Sequence, residues 1–159
     1  MQLLEAYKNN GQSIAQQVWG TEQSLSLAEK KAQFFLVSHL GLVDRFVVRL
    51  LHLLRKWGVE ERMMSTLRLA LAEALANAVE HGNRLQITQQ VIIQVHIDSH
   101  KITFLISDQG SGFTEQKTNA QELNRRFAER GRGILMIKSL MDEIRWKKSG
   151  KVLEMIKYR

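Results

Sequence analysis

The sequence predicts an α+β protein: a two-layer α/β sandwich, with helices packed on one face of a mostly antiparallel mixed sheet. Three observations lead there. Two long segments carry apolar residues at helical spacing. Two later segments alternate apolar with polar residues across a two-residue turn. A further helix and a second hairpin close the chain. The order helix pair, hairpin, helix, hairpin suits one helical layer on one sheet.

Residues 1–30 are polar and rich in Gln, Asn and Ser, and Gly11 and Gly20 interrupt any helix. They read as a flexible or helical extension, leaving 31–159 as the single folded domain. Gln33 to Ser38 is a candidate first strand. From Leu42 to Trp57, the residues Val43, Phe46, Val47, Leu50, Leu51 and Leu54 recur at helical spacing, with Gly58 as a stop. A second helix is predicted from about Glu60 to Val79, ending near Gly82. Val91 to Asp98 and Lys101 to Asp108 alternate cleanly and are joined by Ser99-His100, which predicts a hairpin. Thr114 to Arg130 is polar and aperiodic. A helix follows at about Gly133 to Met141, then strands at Ile144 to Lys148 and Lys151 to Tyr158 around a Ser149-Gly150 turn. Met63, Met64, Met136 and Met141 read as core filler, and Trp57 and Trp146 as packing residues.

Composition narrows the function. The 159 residues are 44% hydrophobic and 25% charged, ordinary for a globular domain. No apolar run reaches the ~18 residues that cross a bilayer, and the N-terminus lacks a signal-peptide pattern, so a cytoplasmic protein without a membrane partner is expected. The absence of cysteine rules out disulfides and thiolate metal sites. The net charge of +7 favours anionic partners. The basic residues are scattered, however, and no basic arm or aromatic-interleaved strand suggests direct nucleic-acid binding.

Three motifs carry chemistry. The first is EALANAVEHGN, Glu73 to Asn83. At 100° per residue, Glu73, Asn77 and Glu80 share a narrow arc. The small residues Ala70, Ala72, Ala74, Ala76 and Ala78 leave room for something to approach the backbone. A carboxylate and an amide one turn apart can share a Mg²⁺ shell and a water. The second is DQGSGF, Asp108 to Phe113. Asp108 has the strand parity of Ile102, Phe104 and Ile106, so it should face the covered side, where a carboxylate needs a donor. The exocyclic amine of adenine is one, and Gly110 and Gly112 would let a flat base lie against the backbone. The third is GRGILMIKSLMDEI, Gly131 to Ile144, in which glycines open a helix whose free N–H groups form an anion site. Taken singly, these also fit an amphipathic helix, an Asp-x-Gly turn and a glycine-flanked helix start.

Taken together, their order and spacing resemble the N, G1 and G2 boxes of the GHKL (Bergerat-fold) ATPase superfamily, which includes gyrase-type topoisomerases, sensor histidine kinases and mismatch-repair ATPases. The E-A-x-x-N-A-x-x-H-G form, the short lid from about Thr114 to Arg130 and the LMDEI ending are most similar to bacterial anti-sigma-factor serine/threonine kinases. The resemblance covers roughly Gln33 to Arg159.

This resemblance implies ATP and Mg²⁺ as cofactors, with Asn77 as metal ligand and Glu73 as general base. Asp108 would accept from adenine between Gly110 and Gly112, and the backbone around Gly131 and Gly133 would hold phosphates. Arg130 and Arg132 are candidates for phosphate contacts. The implied partners are a sigma factor and an anti-sigma-factor antagonist of the STAS-domain type, with the kinase a homodimer. A nucleotide-binding regulatory module without kinase activity, or a histidine-kinase-like ATPase domain, is the alternative. Three departures stand out: Gln109 where an acidic residue or Asn is common, no proline in the lid, and Asn83-Arg84-Leu85 after Gly82.

Overall fold

The structure is a computed structural model that describes residues 22–24 (as backbone), 29–110, 132–148 and 150–159. The strands are β1 (Glu22–Ser24), β2 (Lys30–Val37), β3 (Gln90–Ile97), β4 (Lys101–Ser107), β5 (Glu143–Lys147) and β6 (Val152–Tyr158). They form one six-stranded sheet in the order β1-β2-β3-β4-β6-β5. Among the described residues every pairing is antiparallel, with no parallel component to make the sheet mixed. Within the stretch read as an extension, β1 adds an edge strand, with Glu22 opposite Ala32 and Ser24 opposite Lys30.

The helices are α1 (Leu40–Lys56), α2 (Glu61–Asn77) and α3 (132–140). The α1 start is capped by His39, whose Nδ1 accepts from the Gly41 N–H at 3.1 Å. Its end is fixed by Gly58 at φ 82°, a left-handed conformation that glycine adopts freely. The predicted stripe Val43, Phe46, Val47, Leu50, Leu51 and Leu54 is buried throughout. It meets one face of the sheet. There Ala32, Phe34 and Leu36 of β2 join Val91, Ile93, Val95 and Ile97 of β3 and Ile102, Phe104 and Ile106 of β4 in one core. Phe34 and Phe46 pack edge-to-face with ring centres 5.8 Å apart. Period-two burial on the strands and helical-period burial on α1 and α2 are the two halves of one sandwich.

Met63, Met64, Met141 and Trp57 lie in this core. Trp146 does not: on the edge strand β5 it stays 36% exposed. An edge strand is covered on one side only, so packing there is incomplete. The β3–β4 hairpin closes as expected, Asp98 Oδ1 accepting from the N–H groups of His100 at 2.8 Å and Lys101 at 3.0 Å.

The largest departure from sequence expectation comes after Asn77. Residues Ala78–Gly82 form a π-turn, with the Asn83 N–H donating to Ala78 O at 2.8 Å. A π-turn is wider than an α-turn, so ideal-helix arithmetic does not carry past Asn77. Glu80, grouped by that arithmetic with Glu73 and Asn77, is exposed, whereas those two are half-buried. Arg84 and Leu85 then take φ of 51° and 59°, left-handed conformations uncommon for side-chain-bearing residues.

Candidate functional site

The C-terminal half of α2 carries Glu73 and Asn77 one turn apart, on its half-buried side. Asn77 Nδ2 donates to Glu73 Oε1 at 3.2 Å. With the amide nitrogen turned to the carboxylate, the amide oxygen is the atom left to meet a cation. Across from them stands the start of α3. A Cβ built on Gly133 would lie 1.7 Å from Glu73 Oε1 and 2.6 Å from its Cδ. With Glu73 in this position, only glycine fits there. The first and third motifs, some 60 residues apart in sequence, are therefore in direct contact.

The second motif meets the first at the other end. β4 stops at Ser107, and Asp108 follows, tied to the turn before β6 by its N–H to Lys151 O at 3.3 Å. Its side chain turns toward the helical layer and lies against Gly82. A Cβ on Gly82 would come within 2.5 Å of Asp108 Cγ and 2.7 Å of Oδ2. Gly110 closes the corner: its N–H donates to Asp108 Oδ1 at 2.9 Å, and a Cβ there would lie 2.1 Å from Gly82 O. The strand parity read from the sequence is the reason Asp108 faces this way.

Asn83 is the residue that sequence reasoning treated only as a departure from pattern. It is 1% exposed, Nδ2 donating to Ser38 Oγ at 2.6 Å and Oδ1 accepting from the Gln109 N–H at 2.7 Å. Nothing in the local sequence announces this, because Ser38 is 45 positions away.

Among the predicted site residues, the structure thus brings together Glu73, Asn77, Asp108, Gly110 and Gly133. Arg132, at the first position of α3, is exposed. Gly112, Arg130, Gly131 and the proposed lid from Thr114 lie outside the described residues. Among the described residues no group of three His, Asp or Glu side chains could hold a metal ion unaided. A hollow of about 650 Å³ on the opposite face of the sheet, lined in part by Lys31, Gln33, Gln94, His96 and Glu154, is separate from these motifs. Ion pairs form at and beside it: Glu29 with Lys31 at 3.0 Å and with His96 at 2.5 Å, and Glu154 Oε1 with Lys147 at 2.6 Å.

The family model of the histidine kinase-like ATPase domain matches residues 36–157, which include every motif above. The chain belongs to this family. Its layered antiparallel architecture is that of the Bergerat fold. The serine-protein kinase RsbW of Staphylococcus aureus (strain MSSA476) is 35% identical over 100 residues, covering 57% of this chain and 63% of that protein. The serine-protein kinase RsbW of Staphylococcus epidermidis is similar to the same extent, 35% over 100 residues. The match spans 63% of the length of these curated relatives. No helix among the described residues is long and apolar enough to cross a membrane.

Proposed function

We propose that this chain binds ATP with Mg²⁺ between α2, the Asp108–Gly110 turn and the start of α3, and phosphorylates a serine or threonine of a partner protein. One observation carries the reading: Gly133 leaves space for the carboxylate of Glu73, so a helix opening rich in N–H donors faces a Glu–Asn pair. A phosphate held by the first needs a base and a metal ligand nearby, and the second offers both.

At the Asp108 end, the carboxylate would accept from the exocyclic amine of adenine, and Gly110 and Gly112, lacking side chains, would leave room for the base. Backbone N–H groups from Gly131 to Gly133, with Arg130 and Arg132, hold the phosphates. The Asn77 amide oxygen would hold Mg²⁺, which would supply charge neutralisation for the transferring group. Glu73, kept one turn away by its bond to Asn77, orients the attacking hydroxyl and takes its proton.

The names of the similar staphylococcal proteins support serine as the acceptor. Resemblance to anti-sigma-factor kinases supports a STAS-type antagonist as substrate and a sigma factor as the protein held, with the chain acting as a homodimer. The test is incubation with γ-labelled ATP, Mg²⁺ and candidate antagonists and sigma factors from the same organism. Label on an antagonist supports the kinase. ATP binding without transfer to any of them would leave a nucleotide-binding regulatory module, and no ATP binding would overturn the proposal.

A further inference from the structure

The turn that carries Asp108 is held from behind by a polar relay whose inner members, Asn83 and Ser38, are buried. Asn83 uses both halves of its amide: Nδ2 donates to Ser38 Oγ at 2.6 Å, and Oδ1 accepts from the Gln109 N–H at 2.7 Å. Ser38 is itself 1% exposed, and its N–H donates to Gln89 O at 3.1 Å. Gln109 is tied a second time, its Oε1 accepting from the Gln90 N–H at 2.9 Å. The Gln109 residue is therefore fixed by backbone and side chain, and it stands between Asp108 and Gly110. Those two are themselves bonded, so a shift at Gln109 moves both.

The chain delivers Asn83 to this place at a cost. The π-turn before it and the left-handed Arg84 and Leu85 after it are unfavourable local choices. Strain of this kind persists where the surroundings over-determine it, and it gathers at functional sites. The chemistry also requires an amide. An apolar side chain would take the acceptor from the half-buried Gln109 N–H bond and strand the buried Ser38 hydroxyl. None of the relay bonds involves Glu73, Asn77 or Gly133.

We propose that Asn83, supported by Ser38, is a positioning residue for base recognition: it sets the Asp108–Gly110 turn and so decides which base the pocket accepts. This rests on the ATP-binding reading above. The two departures Asn83 and Gln109 are then one paired feature, since the side chain of the first holds the backbone of the second.

The test compares wild type with Asn83→Ala and Ser38→Ala by calorimetry with ATP, GTP and inorganic tripolyphosphate, each with Mg²⁺. Asn83→Ala should lower ATP affinity by ~10-fold or more and reduce the ATP-over-GTP preference to match, the scale of one lost buried hydrogen bond. Tripolyphosphate affinity should stay within ~2-fold, because it lacks a base to be read. Ser38→Ala should move the same quantities in the same direction by less, and carries the test if Asn83→Ala does not fold. An unchanged ATP-to-GTP ratio in the folded variants would overturn the inference. So would a parallel loss of tripolyphosphate, which would mean general loosening. Wild type that binds no ATP would instead fail the underlying function.

Discussion

The two ends of the candidate site are built in opposite ways. At the Asp108 end, position comes from backbone N–H groups that donate to side-chain oxygens: Gly110 N–H to Asp108 Oδ1, Gln109 N–H to Asn83 Oδ1, Gln90 N–H to Gln109 Oε1. At the Glu73 end, position comes from one bond to Asn77 and from the space that Gly133 leaves. Each end has a glycine no other residue could replace without movement, yet the obstacles differ. A Cβ on Gly110 would lie 2.1 Å from a backbone carbonyl oxygen, which cannot yield unless a segment shifts. A Cβ on Gly133 would lie 1.7 Å from the tip of a flexible carboxylate, which can swing aside. The Asp108 end is rigid and the Glu73 end adjustable. That division suits the proposed site, in which the first would read a base and the second would move a proton.

The most direct way to break this comparison is to change the carboxylate alone. Glu73→Gln should cut phosphoryl transfer by ~10²–10⁴-fold, the usual loss of a general base. ATP affinity by calorimetry should change little, because the amide keeps the shape and the Asn77 bond. Transfer at the wild-type rate would make Glu73 a shaping residue only. At the opposite end, Asp108→Asn should weaken ATP binding by about 1.5–3 kcal/mol, the value of a charge-assisted hydrogen bond. Equal affinities for wild type and variant would remove adenine from Asp108.

The same methyl group added at each end sharpens the contrast. Gly110→Ala should destabilise the fold by about 1–3 kcal/mol, since overpacking against backbone forces a shift. Gly133→Ala should cost less than ~1 kcal/mol in stability but slow transfer, since the displaced Glu73 leaves Asn77. Matching melting temperatures would erase the distinction between a rigid and an adjustable end.

The smallest effect is expected far from both ends, at the β3–β4 hairpin. The backbone N–H of His100 holds the Asp98 carboxyl below its ordinary range, with a further contribution from the Lys101 N–H. Its folded pKa therefore lies under the unfolded value of ~3.9. The stabilisation is present in full above that value and is lost as pH falls through the folded pKa. Asp98→Asn keeps an acceptor oxygen but cannot titrate, so its melting temperature should fall less steeply on acidification than that of wild type. Identical acid limbs in the two proteins would remove Asp98 from the pH dependence.

Much of this molecule was legible before any coordinates. The α1 stripe, the alternation of β3 and β4, the final hairpin and the helix opening at Gly133 follow from periodicity and from glycine placement. So does the side of the sheet that Asp108 faces, because two-residue alternation assigns it. These are local properties: a few neighbouring side chains and one dihedral preference are enough to set each of them. The fully antiparallel sheet, the β1 edge and the exposure of Trp146 depended instead on which strands became neighbours.

What only the tertiary structure decided is which residues share space. Gly133 stands against Glu73, Gly82 lies against Asp108, and Asn83 joins Ser38 to Gln109. The π-turn that carries Asn83 into the interior has no signature in the run EALANAVEHGN, which reads as ordinary helix. A buried amide gains its partners only when distant segments close around it, and the unfavourable turn is held by that closure. The sequence alone thus determined the elements and the three motifs, since those rest on local preference. Their contacts were decided by packing, since a missing Cβ or a paired amide has meaning only beside the atoms that approach it.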